Sequence, residues 1–205
     1  MHASIRLATE HDAEAIAAIY APFCNSTAVS FEDTPPSPVE IAQRIARITQ
    51  RLPWLVLKDD GDVAGYAYAS PHRERAAYRW SVDVTVYVHP RYQRRGVGSA
   101  LYTALFAILA QQGYFQAFAG VALPNPGSEG LHEAMGFEVV GVYRSVGWKL
   151  GVWHDVRWYR RGLQAQDGEP TATLPTEAVA DTPGWKAALA AGLALYRRTL
   201  VGGEP

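Results

Sequence analysis

Gln93-Arg94-Arg95-Gly96-Val97-Gly98-Ser99 is the stretch of this chain best suited to hold an anion. Its glycines let the backbone curl until several N–H groups converge, and a helix opening at the same point aims the positive end of its dipole there. Arg94 and Arg95 add charge-assisted donors. A phosphate or pyrophosphate fits such a turn. The turn is not a nucleotide P-loop, because the Gly-Lys-Ser/Thr ending is absent, and it lacks the full Gly-x-Gly-x-x-Gly dinucleotide pattern.

The turn must be positioned by its neighbours. Residues 81–88 alternate cleanly, with Val82, Val84, Val86 and Val88 on one face and Asp83, Thr85 and Tyr87 on the other, which predicts a strand. After the turn, Ala100, Leu101, Leu105, Ile108 and Leu109 form a helical stripe that ends near Gly113. Upstream, a strand over 4–8 is followed by a helix capped at Thr9 and running to Tyr20, and Ser37-Pro38-Val39-Glu40 caps a second helix. The polar loop 25–36, with Phe31 at its centre, is a candidate substrate wall. Residues 54–57 and 63–69 read as a hairpin about Asp60-Gly61. Downstream, strands are expected over 115–121, 137–146 and 156–160, with a short helix capped at Ser128 and ending at Met135. Strands alternating with crossover helices imply an α/β fold.

The chain has 205 residues, 48% of them hydrophobic and 19% charged, enough for one good-sized core plus an appendage. Lys+Arg 19 against Asp+Glu 20 leaves a net charge of -1, so no overall field attracts a nucleic-acid backbone or an anionic bilayer, and neither partner is expected. The lone Cys24 forms no internal disulfide, and no Cys/His grouping has metal-site spacing; Trp153-His154-Asp155 reads as an aromatic rim or strand packing. No signal peptide or membrane span is legible, so a cytoplasmic protein is expected. Residues 164–183 change composition and read as a linker between a domain over 1–163 and a helical extension over 184–205. Trp185, Leu189, Leu193, Tyr196 and Leu200 give that extension an apolar stripe, to dock on this domain or on another subunit.

The segment from Val86 through the glycine turn to Ser99 resembles the acetyl-CoA-binding motif of GNAT-superfamily N-acetyltransferases. Val29-Ser30-Phe31, Pro53-Trp54-Leu55-Val56, Ala76-Ala77-Tyr78-Arg79-Trp80, Leu123-Pro124-Asn125, His132-Glu133-Ala134-Met135-Gly136-Phe137 and Trp153-His154-Asp155-Val156 narrow the resemblance to the phosphinothricin and methionine sulfoximine N-acetyltransferase group, over about residues 4 to 161. It implies a GNAT-like mixed, mostly antiparallel central sheet with flanking helices. It also implies acetyl-CoA as co-substrate, a small amino-acid-like amine as acceptor, and a homodimer.

By the same resemblance, the backbone at Val86 and Val88 pairs with the pantetheine arm, and the amides of Arg94, Arg95, Gly96, Val97, Gly98 and Ser99 take the pyrophosphate. Asn125 and Ser128 match further cofactor contacts. Asp83 matches the family's catalytic glutamate, one methylene shorter, which favours a proton relay through water over direct contact. His132 matches a histidine near the active site that assists proton transfer or orients Asp83. Arg75 and Tyr78 match residues that bind the amino-acid end, with Phe31, Thr85 and Val156 completing the pocket. Tyr87, Tyr102 and Tyr143 are the candidates to protonate the leaving thiolate or to shape the pocket, and the sequence does not choose among them. Cys24 has no evident activating histidine, which disfavours an acetyl-cysteine route. Two other readings stay open: a protein or peptide N-acetyltransferase, and a non-catalytic acyl-CoA sensor or assembly module.

Overall fold

The computed structural model describes residues 3–201, with the side chains of Arg198, Leu200 and Val201 outside the description. One seven-stranded sheet runs through the molecule: β1 (Ser4–Leu7), β2 (Trp54–Asp59), β3 (Asp62–Pro71), β4 (Ser81–Val88), β5 (Gln116–Ala122), β6 (Glu138–Lys149) and β7 (Val152–Gly162). Their spatial order is β1-β2-β3-β4-β5-β7-β6. Every neighbouring pair is antiparallel except β4 with β5, so the expected mixed, mostly antiparallel sheet is what the chain forms.

The valine alternation decides how β4 sits. Val82 and Val84 are buried, and Val86 and Val88 pack beside them against α3 (Val97–Gln111), whose apolar side chains form most of the larger core. The opposite face of the sheet is covered by α1 (Ala13–Ser26) and α2 (Pro38–Thr49), where Ile16, Ile19, Ile41 and Ile45 close a second core over Trp54, Val56 and Tyr66. α1 runs six residues beyond the expected end at Tyr20, carrying Pro22 within it. Ser37 caps α2 as its capping box requires: Glu40 N–H donates to Ser37 Oγ at 3.3 Å, and Ser37 N–H donates to the Glu40 carboxylate at 2.7 Å.

Two helical details differ from the sequence reading. The cap of α4 (Pro126–Ala134) is Asn125, whose side chain accepts from Ser128 N–H at 3.2 Å; Ser128 therefore lies inside the first turn. The stretch expected as a bare linker contains α5 (Thr176–Val179), with Thr176 and Val179 buried.

α6 (Pro183–Val201) docks on its own sheet and on α3. Trp185, Ala188 and Tyr196 are buried, Leu189 and Leu193 pack beside them, and Leu200 lies outside the described side chains. Gly192 makes the close approach possible: a Cβ there would meet the carbonyl oxygen of Ala100 at 2.5 Å. Tyr196 donates to Asp59 Oδ2 at 2.8 Å. The stripe is therefore consumed within the chain and is not left over for a second subunit.

Candidate active site

The site begins where the sheet splits. The parallel pairing of β4 with β5 covers Ser81–Gln116, Val82–Ala117 and Asp83–Phe118 and then stops, although β4 continues to Val88 and β5 to Ala122. β3 still pairs with β4 along the other edge as far as Val88. One edge of β4 beyond Asp83, including Val86 and Val88, is thereby left without a strand partner, and an extended ligand can hydrogen-bond to it.

The glycine turn lies at the far end of that edge. Gly96, at φ +77°, ends the turn, and α3 begins without a side-chain cap. Arg94 also has a left-handed φ, +59°. The first backbone bond into the helix is Ala100 N–H to Gly96 carbonyl; among the described residues, the N–H groups of 94–99 have no backbone acceptor. A cluster of unpaired donors at the positive end of a 15-residue helix is a seat for a diphosphate. Gly98 lets Leu131 of α4 pack tightly, since a Cβ there would meet its Cδ2 at 2.9 Å. Asn125 spends its carbonyl oxygen on the α4 cap, and its amide nitrogen has no hydrogen-bond partner among the described residues.

Asp83 stands at the vertex of the split, on the sheet face shared with Thr85 and Tyr87. Its Oδ1 is 2.6 Å from His72 Nδ1. Burial pushes the Asp83 carboxyl above its ordinary value, and the His72 hydrogen bond with the charges of His72 and Arg73 pulls it part of the way back. His72 is stacked on Phe118, centroids 4.2 Å apart, with Tyr78 at 5.9 Å and Trp158 at 6.2 Å. Gly120 lies beneath this wall, where a Cβ would stand 3.4 Å from the Trp158 ring and from Val156. Tyr143 lies 5.8 Å from Trp158, and the Arg73 guanidinium is 5.5 Å above that indole. Of the expected substrate residues, Tyr78 and Val156 thus gather around the Asp83 vertex. Arg75 opens the exposed 3-10 turn ahead of Tyr78, and the arginine whose charge acts on the carboxylate is Arg73.

Thr85 stands opposite Tyr68 on β3, near the Glu32–Arg44 ion pair. Phe31 reaches the β6–β7 hairpin, where it occupies the space a side chain at Gly147 would need and approaches His154 at 6.3 Å. The buried Lys149 donates to the carbonyls of Ser30 and Glu32, at 2.5 and 2.9 Å, and so ties the loop of 27–37 to the hairpin. The hairpin thus fixes this loop in place.

His132 is not the histidine that holds Asp83. It is 3% exposed, its Nδ1 donates to the carbonyl of Ser128 at 2.7 Å, and its Nε2 accepts from Tyr102 Oη at 3.2 Å. Burial lowers its pKa, keeping the ring neutral among Tyr102, Phe137 and Tyr159. Both nitrogens are engaged, Nδ1 within α4 and Nε2 in fastening α4 to α3. The three tyrosines also part: Tyr87 packs among Tyr20, Phe23 and Tyr66, Tyr102 is bound to His132, and Tyr143 is half exposed near Trp158. His72, Arg73 and Trp158 were missed in the sequence. The available signal for His72 was its place just past the end of β3, whose hairpin register sets Ser70 opposite Asp83.

The family model for an acetyltransferase (GNAT) domain matches residues 5–158. The chain belongs to the GNAT acetyltransferase family. This acetyltransferase is 42% identical over 160 residues to a phosphinothricin N-acetyltransferase of Streptomyces viridochromogenes, covering 78% of this chain and 87% of that one. It is 34% identical to an L-methionine sulfoximine/L-methionine sulfone acetyltransferase of Pseudomonas aeruginosa, covering 85% of this chain and all of that one. Among solved structures, a GNAT-superfamily phosphinothricin acetyltransferase from Sinorhizobium meliloti in complex with AcCoA superposes with a TM-score of 0.80 at 36% identity, covering 86% of this chain and 97% of that one. The residues matched by the family model contain the split sheet, the glycine turn and Asp83; α6 lies beyond them. Among the described residues, no group of three His, Cys, Asp or Glu side chains is placed to hold a metal, and no helix is long and apolar enough to cross a membrane.

Proposed function

We propose that this acetyltransferase moves the acetyl group of acetyl-CoA onto the primary amine of a small amino-acid-like compound, with phosphinothricin and methionine sulfoximine or sulfone as the first candidates. The observation that carries this reading is the geometry around β4: a free backbone edge runs from Asp83 toward a turn of unpaired N–H groups. That arrangement fits a long ligand with an anionic diphosphate at one end and a reactive group at the other. The amides of 94–99 take the diphosphate, the backbone of Val86 and Val88 takes the pantetheine arm, and Asn125 with Ser128 borders it from α4. Bound there, acetyl-CoA supplies an activated acyl carbon.

The protein's own residues prepare the acceptor. An amino acid enters as an ammonium, which is no nucleophile until a proton is removed. The vertex carries a carboxylate–histidine pair for that purpose, Asp83 and His72. Arg73 and Arg75 suit the substrate's acidic group, and Tyr78, Trp158, Val156, Thr85 and Phe31 form its walls. His132 acts at a distance, by fastening α4. Cys24 is buried, with its Sγ 3.7 Å from the Ser30 hydroxyl, in a setting that supplies no base for an acetyl-cysteine route.

We further propose a homodimer formed through the β6–β7 hairpin, at the open end of the sheet, where Val139, Val146, Trp148, Leu150, Val152 and Trp153 are exposed. A cytoplasmic location fits the single unpaired cysteine.

Thiol release from acetyl-CoA over a panel of amines tests the reading. Saturable release with phosphinothricin or methionine sulfoximine, exceeding that with peptides, supports it. Release with peptides alone favours a protein acetyltransferase, and tight coenzyme binding without turnover on any amine favours a sensor.

A further inference from the structure

From the contact between His72 and Asp83, we infer that His72 Nε2 is the atom that takes the proton from the substrate's ammonium, with Asp83 orienting the imidazole. This deepens the acetyl-transfer reading and rests on it.

Three observations lead to this assignment. The 2.6 Å contact joins His72 Nδ1 to Asp83 Oδ1, and an ionised carboxylate only accepts hydrogen bonds, so in the neutral imidazole the proton sits on Nδ1 and Nε2 carries the lone pair. Nε2 has no hydrogen-bond partner among the described residues and is not fully buried, so its lone pair is left for a partner from outside the protein. The ring is also held in place. It stacks on Phe118 at an interplanar angle of 15°, with Tyr78 and Trp158 against its edges.

The position matters as much as the orientation. Phe118 and Asp83 are the last pair in the β4–β5 ladder, so the imidazole lies over the vertex itself. An aspartate places its oxygens about 1.5 Å, one carbon–carbon bond, short of where a glutamate would. The imidazole extends the carboxylate's reach into the site and restores what the shorter side chain loses. Arg73, whose charge acts on Asp83 from the residue after His72, and Tyr78 also border the pair; β5 and β7 contribute Phe118 and Trp158.

In the step, R–NH3+ gives one proton to Nε2 and its freed lone pair attacks the thioester carbonyl carbon. A C–N bond forms, and the C–S bond breaks with its electron pair leaving on sulfur. The second nitrogen proton ends on the thiolate and the His72 proton passes to solvent, so ammonium and thioester give amide, thiol and one proton.

His72→Phe preserves the stacking and removes the base. It should lower kcat by about 100-fold or more, the usual scale for a general base, with acetyl-CoA affinity within about twofold. Adding Asp83→Asn to His72→Phe should cost little further, because the two act as a unit. His72→Gly should regain turnover on addition of free imidazole, saturably, which a merely structural histidine would not allow. His72→Phe retaining wild-type kcat within about threefold, or a folded His72→Gly indifferent to imidazole, overturns the inference and leaves Asp83 as the base. Wild-type thiol release separates the two levels: its absence with every amine defeats the acetyl-transfer reading and this inference with it, whereas normal release beside an undiminished His72→Phe defeats this inference alone.

Discussion

Tyr196, near the end of the chain, donates its hydroxyl hydrogen bond to Asp59 Oδ2 at 2.8 Å across 137 residues of sequence. Both residues are buried, and the other Asp59 oxygen has no partner. One helical turn further on, Thr199 lies against the glycine turn, its Oγ1 2.7 Å from where a Cβ on Gly96 would stand. α6 therefore braces the turn from behind. Tyr196→Phe leaves Asp59 wholly unsatisfied and should cost about 1–3 kcal/mol in urea unfolding. Ending the chain at Gln164 should lower Tm further and weaken acetyl-CoA binding; unchanged stability and affinity would show that the brace does nothing.

Asp83 sets function against stability. Burial raises its carboxyl pKa despite His72 and Arg73, so the folded protein holds that proton more tightly than the unfolded chain does. The ionised form, which the proposed mechanism requires, is thus the less stable one: stability falls as pH rises from about 3.9, the unperturbed aspartate value, through the raised folded value. Asp83→Asn still accepts from His72 but carries no charge. It should reduce kcat by about 100-fold or more. At pH 7 to 8 it should raise Tm, because it removes the charge that burial disfavours. The acid limb of wild-type kcat/KM should lie above about 3.9. Calorimetric scans at several pH values check the sign, and a destabilised Asp83→Asn contradicts it.

The exposed residues of the β6–β7 hairpin provide a test of assembly. Trp148 and Trp153 form an edge-on pair at 5.4 Å, and each is more than half exposed. Trp148→Glu should convert a sedimenting dimer to a monomer, because an interface centre tolerates a buried unpaired charge poorly. A monomeric wild type removes the proposal.

The elements carrying the chemistry were legible where local rules decide them. The alternation of β4 and the glycine turn ahead of α3 follow from periodicity and backbone freedom, and the structure places both as read. The partner of Asp83 was not legible. His72 reaches it through the β3–β4 register and the stacking platform of Phe118, neither of which is written in the segment around His72. His132 was misplaced for the reverse reason: its motif marks the neighbourhood, but burial and two committed nitrogens tie it to Ser128 and Tyr102. The stripe of α6 announced an apolar face without saying which surface it covers. Gly192, the residue that lets α6 approach Ala100, bears no signal of its own.

Calorimetric titration of acetyl-CoA into the purified full-length protein tests the central claim most directly, since every later step depends on the turn of 94–99 seating the diphosphate. The account predicts one saturable site per chain. The site should be strongly weakened in Gly96→Val, where a β-branched side chain meets both a φ of +77° and Thr199. A folded wild-type protein that gives no binding heat at saturating coenzyme, by calorimetry at two temperatures, would contradict it.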